Sequence, residues 1–135
     1  MKTTEVAIGI VLRGGQVLIC RRRSDAALAG YWEFPGGKVE TGESVADCLH
    51  RELREELGIQ VRIREPLSSI EHTYPQGKVL LYPFVCDHVD GEATPLASAE
   101  LRWTAPAELA NYEFPAANDD LIKRLIESLR SPASN

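Results

Sequence analysis

Apolar residues in this chain fall into short runs punctuated by glycine, proline and charge, and twice the spacing shifts to a helical period. The first run, Glu5–Leu12, is rich in β-branched residues and reads as a strand covered on both faces. Gly14-Gly15 is a two-residue hairpin signal, and Gln16–Arg22 follows as a second strand. In it Leu18, Cys20 and Arg22 share one face, and Val17, Ile19, Arg21 and Arg23 the other. Ser24–Tyr31 reads as a loop, and Trp32-Glu33-Phe34 as a short strand stopped by Pro35-Gly36-Gly37. Over Val45–Leu57 the period becomes helical. Val45, Leu49, Leu53 and Leu57 form a core-facing stripe, Ser44 is the N-cap and Gly58 the C-terminal stop. Further strands are predicted at Gln60–Arg64, Pro66–His72, Lys78–Cys86 and Leu101–Thr104, with a short helical turn at Ala105–Ala110. A closing amphipathic helix over Asn118–Arg130 presents Leu121, Ile122, Leu125, Ile126 and Leu129 to the core. Strands with two main helices predict an α/β (α+β) fold, a three-layer αβα sandwich on a mixed β-sheet. One domain is expected over residues 1–130, with 131–135 as a frayed tail.

The helix at 45–57 carries an anomaly. Its sequence includes Arg51-Glu52-Leu53-Arg54-Glu55-Glu56, so like charges face each other at i,i+3 and i,i+4. Each such pair weakens an isolated helix by roughly 0.2–0.5 kcal/mol. At about 100° per residue, Glu56 also projects within the arc of the apolar stripe. A carboxylate there is partly buried and costly unless it is paired or bound to a metal. Glu52 and Glu55 fan out along one flank, giving a cation a one-sided set of oxygens. Mg²⁺ or Mn²⁺ is the expected partner, because hard divalent ions prefer carboxylate oxygen and share it with substrate phosphates.

Charge narrows the ligand. A net charge of −5 argues against a broad phosphate-binding surface and hence against a nucleic-acid polymer, but a small anion held through a metal is compatible with it. Cys20, Cys48 and Cys86 have no CxxC spacing and read as small buried apolar residues in a reducing cytosol. The start, MKTTEVAIGIVLRGG, does not read as a signal peptide, and no apolar run approaches a membrane span. A cytoplasmic monomer without repeats or linkers is the expectation.

Residues 37–59 resemble the Nudix hydrolase box. That pattern is a glycine, five residues, a glutamate, seven residues, then Arg-Glu-apolar-x-Glu-Glu-x-Gly-apolar. It is filled without departure by Gly37, Glu43, Arg51, Glu52, Leu53, Glu55, Glu56, Gly58 and Ile59. The resemblance implies the αβα sandwich and hydrolysis of a nucleoside diphosphate linked to another group, by water attack at phosphorus. It casts Glu52 as base or metal ligand, Glu55, Glu56 and the Gly36 carbonyl as metal ligands, and Arg51 and Glu43 as residues that orient the cluster. A simple structural ion pair between Glu43 and Arg51 is equally compatible. A further glutamate outside the box falls on Glu100, for which a surface-loop role is the alternative.

Two segments outside the box resemble MutT-type 8-oxo-dGTP pyrophosphohydrolases. CRRRSDAALAGYWEFPGGK (20–38) matches their phosphate-entry stretch. By that match Arg22 contacts phosphate, Arg21 and Arg23 are solvated or steering, and Glu33, Phe34, Pro35 and Gly36 line the site. Ala27 stands where that family can place a histidine, so one contact is expected to be missing. Tyr112-Glu113-Phe114-Pro115-Ala116-Ala117-Asn118-Asp119 matches the stretch whose asparagine recognises the oxidised purine, which puts base recognition on Asn118. An amide presents a donor beside an acceptor, as a purine edge requires; the other reading is that Asn118 caps the last helix. The products implied are nucleoside monophosphate and pyrophosphate. The runner-up substrates are CTP and 5-methyl-dCTP, since the similar CTP pyrophosphohydrolases share the WEF-x-GGKVE phrasing. Tyr74, Lys78, Tyr82 and Phe84 are further pocket candidates, and His72 reads as a structural histidine, with reach into the cleft as the alternative. A non-catalytic nucleotide-sensing module is disfavoured because every box glutamate is retained.

Overall fold

The computed structural model describes residues 2–130, with side chains through Glu127. Its strands are β1 (Lys2–Arg13), β2 (Gln16–Arg21), β3 (Trp32–Glu33), β4 (Gly36–Lys38), β5 (Gln60–Pro66), β6 (Ile70–Tyr74), β7 (Gly77–Asp90) and β8 (Glu100–Thr104). Helix α1 spans Val45–Leu57 and α2 spans Asp119–Arg130, with 3-10 turns at Pro106–Asn111 and Ala116–Asn118. All eight strands join one mixed sheet in the order β3-β2-β1-β7-β5, with β4 also on β1, β6 also on β7 and β8 also on β2.

The long apolar run of β1 is explained by its place. It pairs with β7 in parallel from Lys2↔Gly77 to Leu12↔Asp87, and helices cover both of its faces. Ala7 and Val11 pack under α1 with Leu49, Leu53 and Leu57; Ile8 and Ile10 pack under α2 with Leu121 and Leu125. Three fully buried leucines on α1 contribute roughly 1.5–3 kcal/mol each as an upper estimate. This is the expected three-layer αβα arrangement.

Helix α1 begins and ends where its sequence signals stand. Ser44 Oγ accepts the Asp47 N–H at 3.0 Å, and Gly58 closes the helix with its N–H on the Arg54 carbonyl at 3.0 Å. Elsewhere the boundaries differ from expectation. The strand expected at Pro66–His72 is Ile70–Tyr74, because Pro66 ends β5 and Leu67–Ser69 form a connection. β1 and β7 run longer than their apolar stretches because each supplies the other's hydrogen-bond partners. Gly36–Lys38 is strand rather than stop. The last helix starts one residue later than expected, after the Ala116–Asn118 turn. The expectation for Leu129 lies outside the described side chains, and that for the 131–135 tail outside the described residues.

Candidate active site

The site is built where β1 and β2 part. Beyond their hairpin these strands pair only at Leu12↔Val17 and Arg13↔Gln16. Residues 32–38 span the gap: β3 pairs with β2, β4 pairs with β1, and Gly9 N–H donates to the Pro35 carbonyl at 2.8 Å. Gly36 lies at φ 153°, and a Cβ there would overlap the Ala7 carbonyl oxygen and stand 2.8 Å from Ile8 Cα. Only glycine lets β4 sit this close to β1. At Gly37 the obstacle is a side chain: a Cβ would stand 2.5 Å from Glu52 Oε2 and 2.7 Å from Oε1. The Glu52 carboxylate therefore rests in the space this glycine leaves. Cys48 ties α1 to the same strand, its thiol donating to the carbonyls of Gly37 (3.5 Å) and Lys38 (3.3 Å).

Arg51 organises the acidic cluster. It donates to both oxygens of Glu43, from Nε at 2.7 Å and Nη2 at 3.0 Å, and from Nη1 to Glu52 at 3.1 Å and Glu55 at 3.2 Å. Its side chain is only 20% exposed and that of Glu43 15%. The Arg51 hydrogen bonds come first in holding the Glu43 carboxyl down at about 2, and the Glu40 N–H adds to them. Arg51 in turn is raised, chiefly by its bond to Glu43. Arg51 thus offsets part of the crowding of Glu52 and Glu55 from within the helix, beside the cation expected for the cluster.

Glu56 is the exception. It is half-buried, as its place in the apolar arc implies. Burial pushes its carboxyl up to about 8; the hydrogen bond and charge of Glu52 add to the rise, and a hydrogen bond from the Gly36 backbone only partly opposes it. Glu33 contributes further negative charge nearby. Glu52 and Glu56 therefore face one another beside Gly36, where a divalent cation could lie between them. The oxygen-only donor set fits a hard ion. Among the described residues no three His, Cys, Asp or Glu side chains stand ready to hold an ion unaided, and Glu55 is turned out, 59% exposed, toward Arg51. Such a site would draw on backbone and substrate oxygens as well.

The other expected residues fall in different places. Arg22 donates to the Ala27 carbonyl at 2.6 Å and to Glu33 at 2.8 Å, clamping the 23–31 loop to β3. The Glu33 carboxyl is raised by burial, with Arg22 opposing. Phe34 is 4% exposed and Pro35 is fully buried, so both are interior rather than lining. Glu100 is not brought to the box. Leu101 packs with Cys20 on the α1 side, so Glu100 points to the opposite face, where Arg21 (2.7 Å) and Arg102 (3.3 Å) take up its carboxylate. Asn118 lies in the 3-10 turn before α2, and its amide donates back to the Pro115 carbonyl at 3.4 Å; among the described residues no capping bond from it to α2 is found. All three cysteines are buried and free, with thiols pushed up by burial to about 11 for Cys48 and about 12 for Cys20 and Cys86, which makes them poor nucleophiles.

Sequence reasoning missed the wall nearest Asn118. Register places Thr4, Val6, Val79, Leu81, Ile70 and His72 on the α2 side of the sheet, all half-buried. Ile70 and His72 line a cavity of about 440 Å³ with Ala116, Ala117, Asp119 and Asp120. Tyr82 and Phe84 belong to the other face: Tyr82 donates to Glu5 at 2.9 Å and Phe84 packs in the α1 core. Alternation along Thr4-Glu5-Val6 was the available signal, but the β1–β7 register that gives it meaning is not local. A cavity of about 620 Å³ between β5 and α2 is lined by Arg64, Glu65, Leu121 and Arg124, none of them a box residue.

A family model described as NUDIX domain matches residues 7–124. The chain is 32% identical over 126 residues to an 8-oxo-dGTP diphosphatase of Escherichia coli, covering 93% of this chain and 98% of that protein. It is 34% identical over 123 residues to the CTP pyrophosphohydrolase of the same organism, covering 91% of each. Among solved structures, the solution structure of the Escherichia coli ORF135 protein superposes with a TM-score of 0.79 at 33% identity, covering 100% of this chain and 96% of that one.

Proposed function

The chain belongs to the NUDIX domain family and is a Nudix pyrophosphohydrolase, and from that premise we propose that it converts 8-oxo-dGTP to the nucleoside monophosphate and pyrophosphate with Mg²⁺ or Mn²⁺. The observation that carries the metal dependence is geometric: the Glu52 carboxylate lodged against Gly37, with half-buried Glu56 one turn along the same face of α1. The ion, when bound, neutralises phosphate oxygens and lowers the pKa of a water.

The chain's own residues divide the remaining work. Glu52, lodged against Gly37, is the base or a ligand; Glu55, Glu56 and the Gly36 carbonyl complete the oxygen set. Arg51 and Glu43 act through Glu52, holding its carboxylate by the 3.1 Å bond from Nη1. Arg22 meets phosphate by exchanging its bond to Glu33, and Glu33 and Gly36 border the entry over buried Phe34 and Pro35. Asn118 reads the base above the Val6–Leu81–Ile70 shelf, its amide carbonyl serving as the acceptor. Glu100, paired with Arg21 and Arg102, would join the oxygen set only by exchanging those partners. The enzyme acts as a cytoplasmic monomer on a small nucleotide.

A CTP or 5-methyl-dCTP preference is the second reading, favoured by the 34% identity to a CTP pyrophosphohydrolase and by Ala27 in the entry loop. Pyrophosphate release from 8-oxo-dGTP, dGTP, CTP, 5-methyl-dCTP and ADP-ribose, with and without Mg²⁺, tests both. Turnover of 8-oxo-dGTP should exceed the rest and stop in chelator. A lead for CTP moves the second reading ahead, and undiminished turnover in chelator ends the metal mechanism.

A further inference from the structure

The arm that carries Asn118 is fastened to the chain that enters the glycine turn. Trp32 N–H donates to the Glu113 carbonyl at 2.8 Å. On either side of Glu113 an aromatic pair closes: Tyr112 meets Trp32 edge-on at 5.0 Å between ring centres, and Phe114 meets Phe34 at 5.1 Å. The Arg102 guanidinium lies over Trp32 and Tyr112, at 5.3 and 5.9 Å from the ring centres. Trp32, Phe34 and Phe114 are buried. Phe34 stands two residues before Gly36 and Phe114 four before Asn118, so the fastening joins the two segments a few residues ahead of each end of the site.

We propose that Tyr112 and Phe114 are positioning residues that hold the Asn118 arm in register with Gly36 and Gly37, an inference that rests on the base-reading role given to Asn118 above. A nucleotide has a limited reach from base edge to β-phosphorus, and few of its conformers suit any one site. Both ends engage together only if the base reader and the phosphate site are held within that reach. The Asn118 side chain, with its long bond to Pro115 in the same turn, cannot set that separation itself. Two interlocked ring pairs and a backbone bond can, because each ring has only two rotatable bonds and edge or offset geometry is specific.

The test uses Phe114→Leu and Tyr112→Leu, with Phe114→Tyr and Tyr112→Phe as variants that keep a ring. In saturating Mg²⁺, kcat and KM are measured for 8-oxo-dGTP, dGTP and CTP. The leucine variants should narrow the spread of kcat/KM between best and worst nucleotide by about tenfold, mostly through KM, with the Mg²⁺ requirement unchanged and the ring-keeping variants near wild type. A lower melting temperature with an unchanged spread would mean that the rings only fill space, and overturns the proposal. If wild type shows no spread, the base-reading role of Asn118 has failed, and amide exchange decides the fastening by itself. The leucine variants should then speed exchange at the Trp32 and Asn118 amides; wild-type exchange there overturns it.

Discussion

Replacing Gly37 by alanine separates the fold from the chemistry more cleanly than removing a glutamate. The backbone at Gly37 is not in the left-handed region, so alanine can adopt it. The new methyl would stand 2.5 and 2.7 Å from the two oxygens of Glu52. Restoring ordinary contact, near 3.5 Å, moves that carboxylate by about 1 Å. Such a retreat takes it out of reach of Arg51 Nη1, now at 3.1 Å, and away from Glu56. A misplacement of about 1 Å costs on the order of 100-fold in rate, or about 2.7 kcal/mol of transition-state stabilisation. Stability should change by less than about 1 kcal/mol, because the atoms that yield are the end of a flexible side chain and alanine restricts the unfolded chain. Gly36→Ala gives the opposite result. Its methyl meets the β1 backbone, and relief requires undoing the β1–β4 ladder, at a cost of roughly 3 kcal/mol. Urea unfolding and kcat/KM on the preferred nucleotide, run on both variants, decide the matter. Wild-type activity in Gly37→Ala refutes the placement of Glu52 as the centre of the chemistry, and wild-type stability in Gly36→Ala refutes the close-approach argument.

Three further outcomes follow from the site. Because the Glu56 carboxyl is raised to about 8 from an ordinary 4.5, the folded state keeps a proton that the unfolded chain releases. The metal-free protein should therefore lose stability as pH climbs from about 5 through 8, with a slope of up to about 1.4 kcal/mol per unit, while Mg²⁺ and Glu56→Gln each flatten the curve; equal slopes for wild type and Glu56→Gln in chelator would contradict this. Asn118→Ala should weaken 8-oxo-dGMP binding by about 1–3 kcal/mol, and Asn118→Ser should do the same with the melting temperature unchanged; tight binding by both removes the base-reading role. Hydrolysis in ¹⁸O water should put the label into pyrophosphate, and label in the monophosphate would place the attack at the α-phosphorus.

Helix α1 was legible residue by residue, because its stripe, its Ser44 cap and its Gly58 stop are local signals that agree. The Glu56 anomaly was legible for the same reason. What escaped the sequence depends on partners far along the chain. Gly36-Gly37-Lys38 has the composition of a turn, and only its pairing with Val6, Ala7 and Ile8 makes it a strand. The Arg51–Glu43 pair was expected from the box resemblance, but that both Glu43 oxygens meet Arg51 depends on the turn at 40–43 that brings Glu43 round. Glu100 sits at the expected spot in the chain, yet strand alternation turns it to the face away from the box, something the Arg21↔Glu100 register reveals and the spacing does not. The interior place of Phe34 likewise depends on Phe114, 80 residues later.

The parallel ladder of β1 and β7 has a consequence for how the chain reaches this state. Each residue of β1 meets a partner about 75 positions away, so closing that loop costs about 4 kcal/mol of chain entropy before any contact rewards it. Contacts of such long range slow folding. During synthesis the whole acidic helix emerges well before the strand that secures β1. The carboxylates of α1 can have their local geometry early, but the backbone ladder of the glycine strand against which Glu52 rests is made with β1, and β1 waits for β7. A fragment ending before Gly77 would carry every residue of the box and still lack the floor on which the box is built.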